Sequence, residues 1–365
     1  MRNNVVLAGA LVVTLGVVLA TGRSGDAPAQ PGADRPAALA AVVPAFDPVR
    51  LERGQRPPQF VIVSFDGAGD HDKWQFWRGV ADRSGARFTG FLSGVYLLDR
   101  AHRTAYTGPG HAAGASSLGS WNTPAEVKTL VADLNSAYAA GMEIGTHYNG
   151  HFCAGSEPAA GDWSTAAWTS ELSQFFRFWK ARPDLKVPAE SVQGGRTPCL
   201  EGKADQLEPA LRARGFTYDT SRTSNGIRWP VKSRYGLWEF PLAYVPLAGT
   251  GSGVVSMDYN FWVKQTGAPP STRDSARSSA QVLATYRAMY AAAYGGNRAP
   301  LVLGNHFNSW NGNAYTRALA AFVQETCRKP ETMCVPYRDV VAWMQAQTPD
   351  VLAALQARPP VYTVG

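Results

Sequence analysis

The feature that most constrains this chain is the alternation, after Pro58, of short apolar runs with longer amphipathic stretches. Residues 59–66 read QFVIVSFD, nearly continuous apolar sequence that ends on an acid and meets Gly67-Ala68-Gly69. A strand buried on both faces of a parallel sheet reads this way. Residues 86–93 repeat the pattern less strongly. Residues 123–140 form the clearest helix: Thr123 caps it, Pro124 takes the first position, Glu126 completes a capping box and Gly141 ends it. Residues 142–147 follow as a strand. The same rhythm continues with helix 165–181, strand 191–196, helix 203–214 and strand 216–220. Strand 237–245, helix 276–294, strand 300–306 and helices 313–327 and 337–345 complete it, and Thr348-Pro349 opens a last short helix. Such alternation predicts a parallel sheet with helical crossovers, and about seven units predict an irregular (β/α) barrel. Trp168, Leu172, Phe175, Phe176 and Trp179 recur at helical spacing, which predicts core packing rather than a sugar-stacking stripe.

The N-terminus reads differently. Arg2 precedes an apolar, uncharged run from Val5 to Ala20, and small-residue cleavage sites follow Ala20 and Ala29. Residues 1–29 read as a signal peptide, with an uncleaved N-terminal anchor as the alternative. Residues 30–57 read as a flexible Pro/Ala-rich linker, 58–347 as one domain, and 348–365 as a C-terminal helix and tail. The protein is therefore expected to be extracytoplasmic, secreted or cell-envelope associated, touching a membrane only through an uncleaved N-terminal segment. Export makes its four cysteines disulfide candidates. Cys327 and Cys334 flank a turn-like segment, which leaves Cys153 to pair with Cys199. No Cys-x-x-Cys spacing supports a thiolate metal site.

Composition adds little. Lys and Arg total 35 against 28 Asp and Glu, a surplus of +7 without a basic stripe, and no nucleic-acid partner is expected. A monomer is expected.

Polar residues gather at the C-terminal ends of the expected strands: Asp66, His147, Arg196, Asp219 and His306. In a barrel these ends share one face, the usual place for chemistry. His147 and His151, four residues apart, would share one face of a helical turn and reach one metal ion. Asp66, or the cluster Asp70-His71-Asp72, could supply a carboxylate to complete a two-histidine site. Asp70 has the competing role of capping the helical run that begins near Lys73.

In this order the motifs resemble the polysaccharide deacetylase family (NodB-homology domain, carbohydrate esterase family 4). Ser64-Phe65-Asp66-Gly67 resembles its Thr-Phe-Asp-Asp-Gly motif, and His147-xxx-His151 its metal motif. Arg196-Thr197-Pro198-Cys199 looks like Arg-x-Pro-Tyr. Tyr218-Asp219-Thr220 sits where its fourth motif falls, and Leu303 and His306 where the fifth has Leu and His. The resemblance implies a NodB-like irregular barrel and a secreted, metal-dependent polysaccharide deacetylase. Its substrate would be an acetylated polysaccharide, carrying N-acetyl or O-acyl groups. His147 and His151 would hold a divalent metal, zinc by that likeness; Asp66 would act as base and His306 as acid. The Cys199 backbone N–H would serve the oxyanion, with Arg196 and Asp219 orienting charged groups. Of three departures the first is serious, while Cys199 in place of the motif's Tyr and the spacing of Leu303 are mild. Gly67 stands where the family has a metal-ligand Asp, so the alternative is a glycan-binding relative without turnover. Leu303 lies three residues before His306, where the family usually has two.

Overall fold

The computed structural model describes residues 46–269 and 272–365. The expected signal or anchor, 1–29, and residues 30–45 of the expected linker lie outside the described residues.

The elements in chain order are β1 (Gln59–Gly67), α1 (His71–Ser84), β2 (Thr89–Leu92), α2 (Pro124–Ala139), β3 (Glu143–Thr146), α3 (Thr165–Lys180), β4 (Gly194–Gly195), α4 (Ala204–Ala213) and β5 (Tyr218–Asp219). A strand-rich stretch follows: β6 (Thr223–Asn225), β7 (Val231–Lys232), β8 (Trp238–Glu239), β9 (Leu242–Pro246) and β10 (Gly253–Val255). The chain closes with α5 (Asp258–Thr266), α6 (Ser275–Gly295), β11 (Leu301–His306), α7 (Trp310–Thr326), β12 (Thr332–Cys334), α8 (Tyr337–Ala346) and α9 (Pro349–Gln356).

The main sheet runs β11-β1-β2-β3-β4-β5-β8-β7, with β12 also paired to β1. All of its pairs are parallel except β7 with β8. Its end strands, β11 and β7, do not pair with each other, so the barrel stays open. The apolar run at 59–66 forms β1, buried along nearly its whole length between β11 and β2. A small second sheet, β10-β9-β6, was not expected. The run 237–245 is two strands rather than one, because Pro241 has no N–H for a ladder and the chain changes sheet there.

Helix α2 carries both reciprocal bonds of the expected capping box. Trp168, Leu172, Phe175, Phe176 and Trp179 of α3 are buried in the core, as their spacing predicted. Both expected disulfides are present: Cys153–Cys199 with Cα atoms 6.1 Å apart and Cys327–Cys334 with Cα atoms 5.5 Å apart. The expected linker ends earlier than residue 57. Phe46 and Leu51 pack against the core, and the Leu51 N–H donates to Gln347 Oε1 at 2.9 Å. The C-terminal tail is likewise tied down, through a bridge between Val361 and Ile227. Among the described residues no helix is long and apolar enough to cross a membrane.

Candidate active site

Strand register delivers the site. Asp66 on β1 lies directly opposite His306, the last residue of β11. His147 and Arg196 each follow the paired residues Thr146 and Gly195 of β3 and β4. Parallel strands therefore bring four polar side chains, far apart in sequence, to one end of the sheet.

Asp66 and Arg196 form a buried ion pair at 2.8 Å. The other guanidinium donors are also used: Nε donates to the Thr220 carbonyl, and Nη2 to Thr220 Oγ1 and Tyr337 Oη. Burial opposes ionisation of Asp66, but the charge of Arg196, with His147 and His306, outweighs it and holds the carboxyl below its ordinary value. Its second oxygen faces His306 Nε2 at 3.9 Å.

His306 has a partner the sequence reading missed. Asp258, at the start of α5, accepts from His306 Nδ1 at 2.7 Å and from the His306 backbone N–H at 2.8 Å. Burial disfavours the charged ring; Asp258, by charge and hydrogen bond, and then Asp66 overcome this and raise the pKa. Asp219 does not take this place. Both of its oxygens bind Ser221, and Ser221 Oγ in turn accepts the Thr197 N–H. Burial pushes Asp219 up to about 6. Asp219 thus supports the turn after Arg196 rather than orienting Arg196 or His306. The signal for Asp258 was an acid directly after the apolar run Val254-Val255-Ser256-Met257, the same signature that marked Asp66.

The segment 147–151 is not helical, contrary to expectation. Tyr148 and His151 have φ of 59° and 58°, and a helix cannot pass through left-handed residues. Buried Glu171 holds the loop instead, accepting from the backbone N–H groups of Asn149 and Gly150 and from Tyr106 Oη. Gly150 is required, since a β-carbon there would lie 2.4 Å from Tyr106 Oη. The two imidazoles still face one another, with ring centroids 5.1 Å apart. His147 Nδ1–H donates to the Arg196 carbonyl at 2.8 Å, which leaves Nε2 bare. Burial pushes His147 down to about 3 and lowers His151 as well, so both rings are neutral near pH 7.

A neutral imidazole with its tautomer fixed by a carbonyl is a prepared metal ligand. His147 is such a ligand, His151 faces it, and Asp66 lines the same cavity, although the ligand atoms of these three do not all lie within 4.8 Å of one another. Asp70 is committed elsewhere, because its side chain caps α1 by accepting from the Lys73 N–H at 2.8 Å. Gly67 contributes no ligand. Among the described residues, the group of His, Cys and acid side chains with ligand atoms mutually within 4.8 Å is His151, Cys153 and Cys199. Its sulfurs are joined in a disulfide and have no thiolate to give.

Asp66, His147, His151 and His306 line a cavity of about 640 Å³, which runs past Gly67 and Tyr96 toward Glu126. The same four residues line a second lobe of about 470 Å³ on the opposite side, toward Leu200 and Met257. His102 and His111, in the segment before α2, line neither cavity. His102 is exposed beside Asp99, and His111 stacks on Phe152. From the segment before α2, Leu118 and Asn122 reach the cavity.

No protein-family model and no curated protein matches this chain. Solved structures do. One described as a candidate polysaccharide deacetylase from Mycobacterium smegmatis aligns with a TM-score of 0.51 at 16% identity, over 83% of this chain and 97% of that one. A family 4 carbohydrate esterase from Streptomyces lividans aligns at 0.39 and 14%, over 75% and 91%. A CE4 family pseudoenzyme from Bacillus anthracis aligns at 0.43 and 10%, over 81% and 70%. At these identities the likeness is one of fold, and this chain has the irregular α/β barrel of the NodB type.

Proposed function

We propose that this protein is an extracytoplasmic hydrolase that removes acyl groups from a glycan, acting on N-acetyl or O-acyl groups with the help of a divalent ion, zinc by its ligand chemistry. The observation that carries the reading is the opposed tuning of Asp66 and His306. The carboxyl is shifted toward its ionised form and the imidazole toward its protonated form, 3.9 Å apart across one cavity. Two titratable groups pushed apart in this way divide the roles of base and acid.

Asp66, its position fixed by Arg196, takes a proton from water as the water oxygen bonds to the acyl carbon. The bond from that carbon to the sugar nitrogen or oxygen then breaks. His306 delivers its Nε2 proton to the departing atom, and Asp258 stabilises the charged ring beforehand. The products are a free carboxylate and an unmasked amine or hydroxyl. His147 and His151 would hold the ion, which supplies acidification of water and positive charge near the carbonyl oxygen. By the same reading the Cys199 backbone N–H, within the short turn Pro198–Leu200, would serve that oxygen. The two disulfides support an oxidising compartment.

Gly67 favours a second reading, a glycan-binding relative without turnover. Carboxylate release from a panel of acylated glycans, with zinc titrated in, separates the two. Metal-dependent release that Asp66→Asn abolishes supports the hydrolase. Glycan binding without release under every metal condition supports the relative.

A further inference from the structure

The two lobes that meet at Asp66 and His306 differ in chemistry. The larger, past Gly67, is edged by Asp70, Asp72, Asn122 and Glu126, polar groups suited to sugar hydroxyls. The smaller is walled by Leu200, Met257, Tyr259 and Trp310. It also contains Thr197 and Cys199, so it lies on the side of the proposed oxyanion contact, where the acyl part of a substrate must go. An acetyl group presents one methyl to such a lobe. A volume of about 470 Å³ instead falls in the range of pockets that enclose whole small ligands.

The lobe's floor is closely packed. On β11 the residue two before His306, which shares its face of the strand, is Gly304. Leu303 turns to the other face and is completely buried in the core. With no side chain at 304, the floor is set by Met257, whose Cε lies 2.9 Å from where a Gly304 β-carbon would be. Met257 is unbranched and adaptable. Above it Trp310 stacks on Trp262 at 4.8 Å between centroids, and Tyr259 packs edge-on to Trp310. These rings give the lobe a rigid wall, and Tyr259 leaves its mouth open to solvent, being 44% exposed.

We propose that this lobe is an acyl-chain pocket and that the group removed is an aliphatic acyl chain longer than acetyl. The inference rests on the hydrolase reading for turnover, but not for binding. The acyl C–N or C–O bond is cleaved by water as above, and the product is the longer carboxylate.

The test measures binding of straight-chain carboxylates, from acetate to octanoate, to the full protein by calorimetry. Hydrolysis of p-nitrophenyl esters of the same series is followed in parallel. The expected result is a Kd that falls about fourfold per added methylene until the lobe is full. Leu200→Trp, at the half-buried edge of the lobe, should flatten the series. Asn260→Trp serves as a second filling variant should the first not fold. A flat series in the wild type, or acetate binding as tightly as hexanoate, overturns the pocket. Chain-length-dependent binding without ester or glycan hydrolysis upholds the pocket and overturns the hydrolase reading. Hydrolysis with no chain-length dependence does the reverse.

Discussion

The two loops that face each other across the cavity are built in opposite ways. The loop at 147–151 is buried and tied down, with backbone donors satisfied by Glu171, Tyr148 N–H bonded to Thr146 Oγ1, and His147 locked to the Arg196 carbonyl. The turn at 67–69 has almost no side chain of its own. Gly67 has φ of +85°, and Gly69 lies flat against the Tyr96 ring, where a β-carbon would be 2.5 Å from Cδ2. One loop keeps its ligands by elaborate support, while the other offers only backbone. The difference teaches that the metal half of the proposed chemistry is lopsided, whereas the proton-transfer half is intact.

The largest expected effect comes from removing the group the two loops share. Asp66→Asn should cut carboxylate release by about 10²–10⁴-fold. It also leaves Arg196 buried without its counter-charge, at a cost of about 3–5 kcal/mol. Activity and thermal melting, measured on one sample, should fall together; loss of activity with unchanged stability would contradict the ion-pair argument.

The support under the histidine loop can be tested by pH. Burial pushes Glu171 from its ordinary 4.5 up to about 7, against hydrogen bonds from Tyr106, Asn149 and Gly150. A carboxyl raised on folding stabilises the fold below the unfolded value and loses that contribution as pH rises through the folded value. Denaturant unfolding should therefore show stability declining between about pH 4.5 and 7, by up to roughly 3 kcal/mol from this group. Glu171→Gln should flatten the profile over that window; an unchanged slope would assign it elsewhere.

The bare turn invites the opposite experiment. The Gly67 β-carbon position is open, its nearest neighbour being Tyr96 Oη at 3.9 Å. Gly67→Asp should tighten zinc binding by at least ten- to a hundredfold, read by competition with a chromogenic chelator. The left-handed backbone should cost about 1–2 kcal/mol of stability. Unaltered zinc affinity would show that the ion, if bound, does not approach this turn.

The smallest effect concerns the acid. Asp258→Asn removes the charge that raises the His306 pKa, so the alkaline limb of the pH–activity profile should move to lower pH. Activity at neutral pH should drop roughly tenfold. A uniform loss at all pH values would indicate misplacement rather than a changed proton affinity.

Much of this arrangement could be read from local sequence. The buried run at 59–66, the capping box of α2 and the aromatic face of α3 are local patterns with strong physical causes. Strands 191–196 and 216–220 were harder, because they shrink to two residues each. Gly194 is there to let the Tyr218 ring pass, within 2.2 Å of where its β-carbon would be, and no periodicity reports such a close approach. Asp258 was missed for a different reason. It lies 48 residues before His306 and beyond the antiparallel pair β9–β10, so only the tertiary fold joins the two. The exchange of Asp219 for Asp258 follows from that. Both acids end apolar stretches, and sequence alone does not reveal that one faces Ser221 and the other His306.

The complete use of the Arg196 guanidinium has an evolutionary consequence. Each nitrogen of that group is engaged, by Asp66, Thr220 or Tyr337, and its face lies over the Phe91 ring at 5.1 Å. Replacing Asp66 therefore strands a cation in the core, and selection for folding alone would resist the change. Position 67, the half-buried end of β1 at the cavity, has no such guard. A lineage that ceased to need the reaction would lose its metal ligand early and keep its base long afterwards, so the retained Asp66 is by itself a poor witness to present activity. The order of decay is written into the packing.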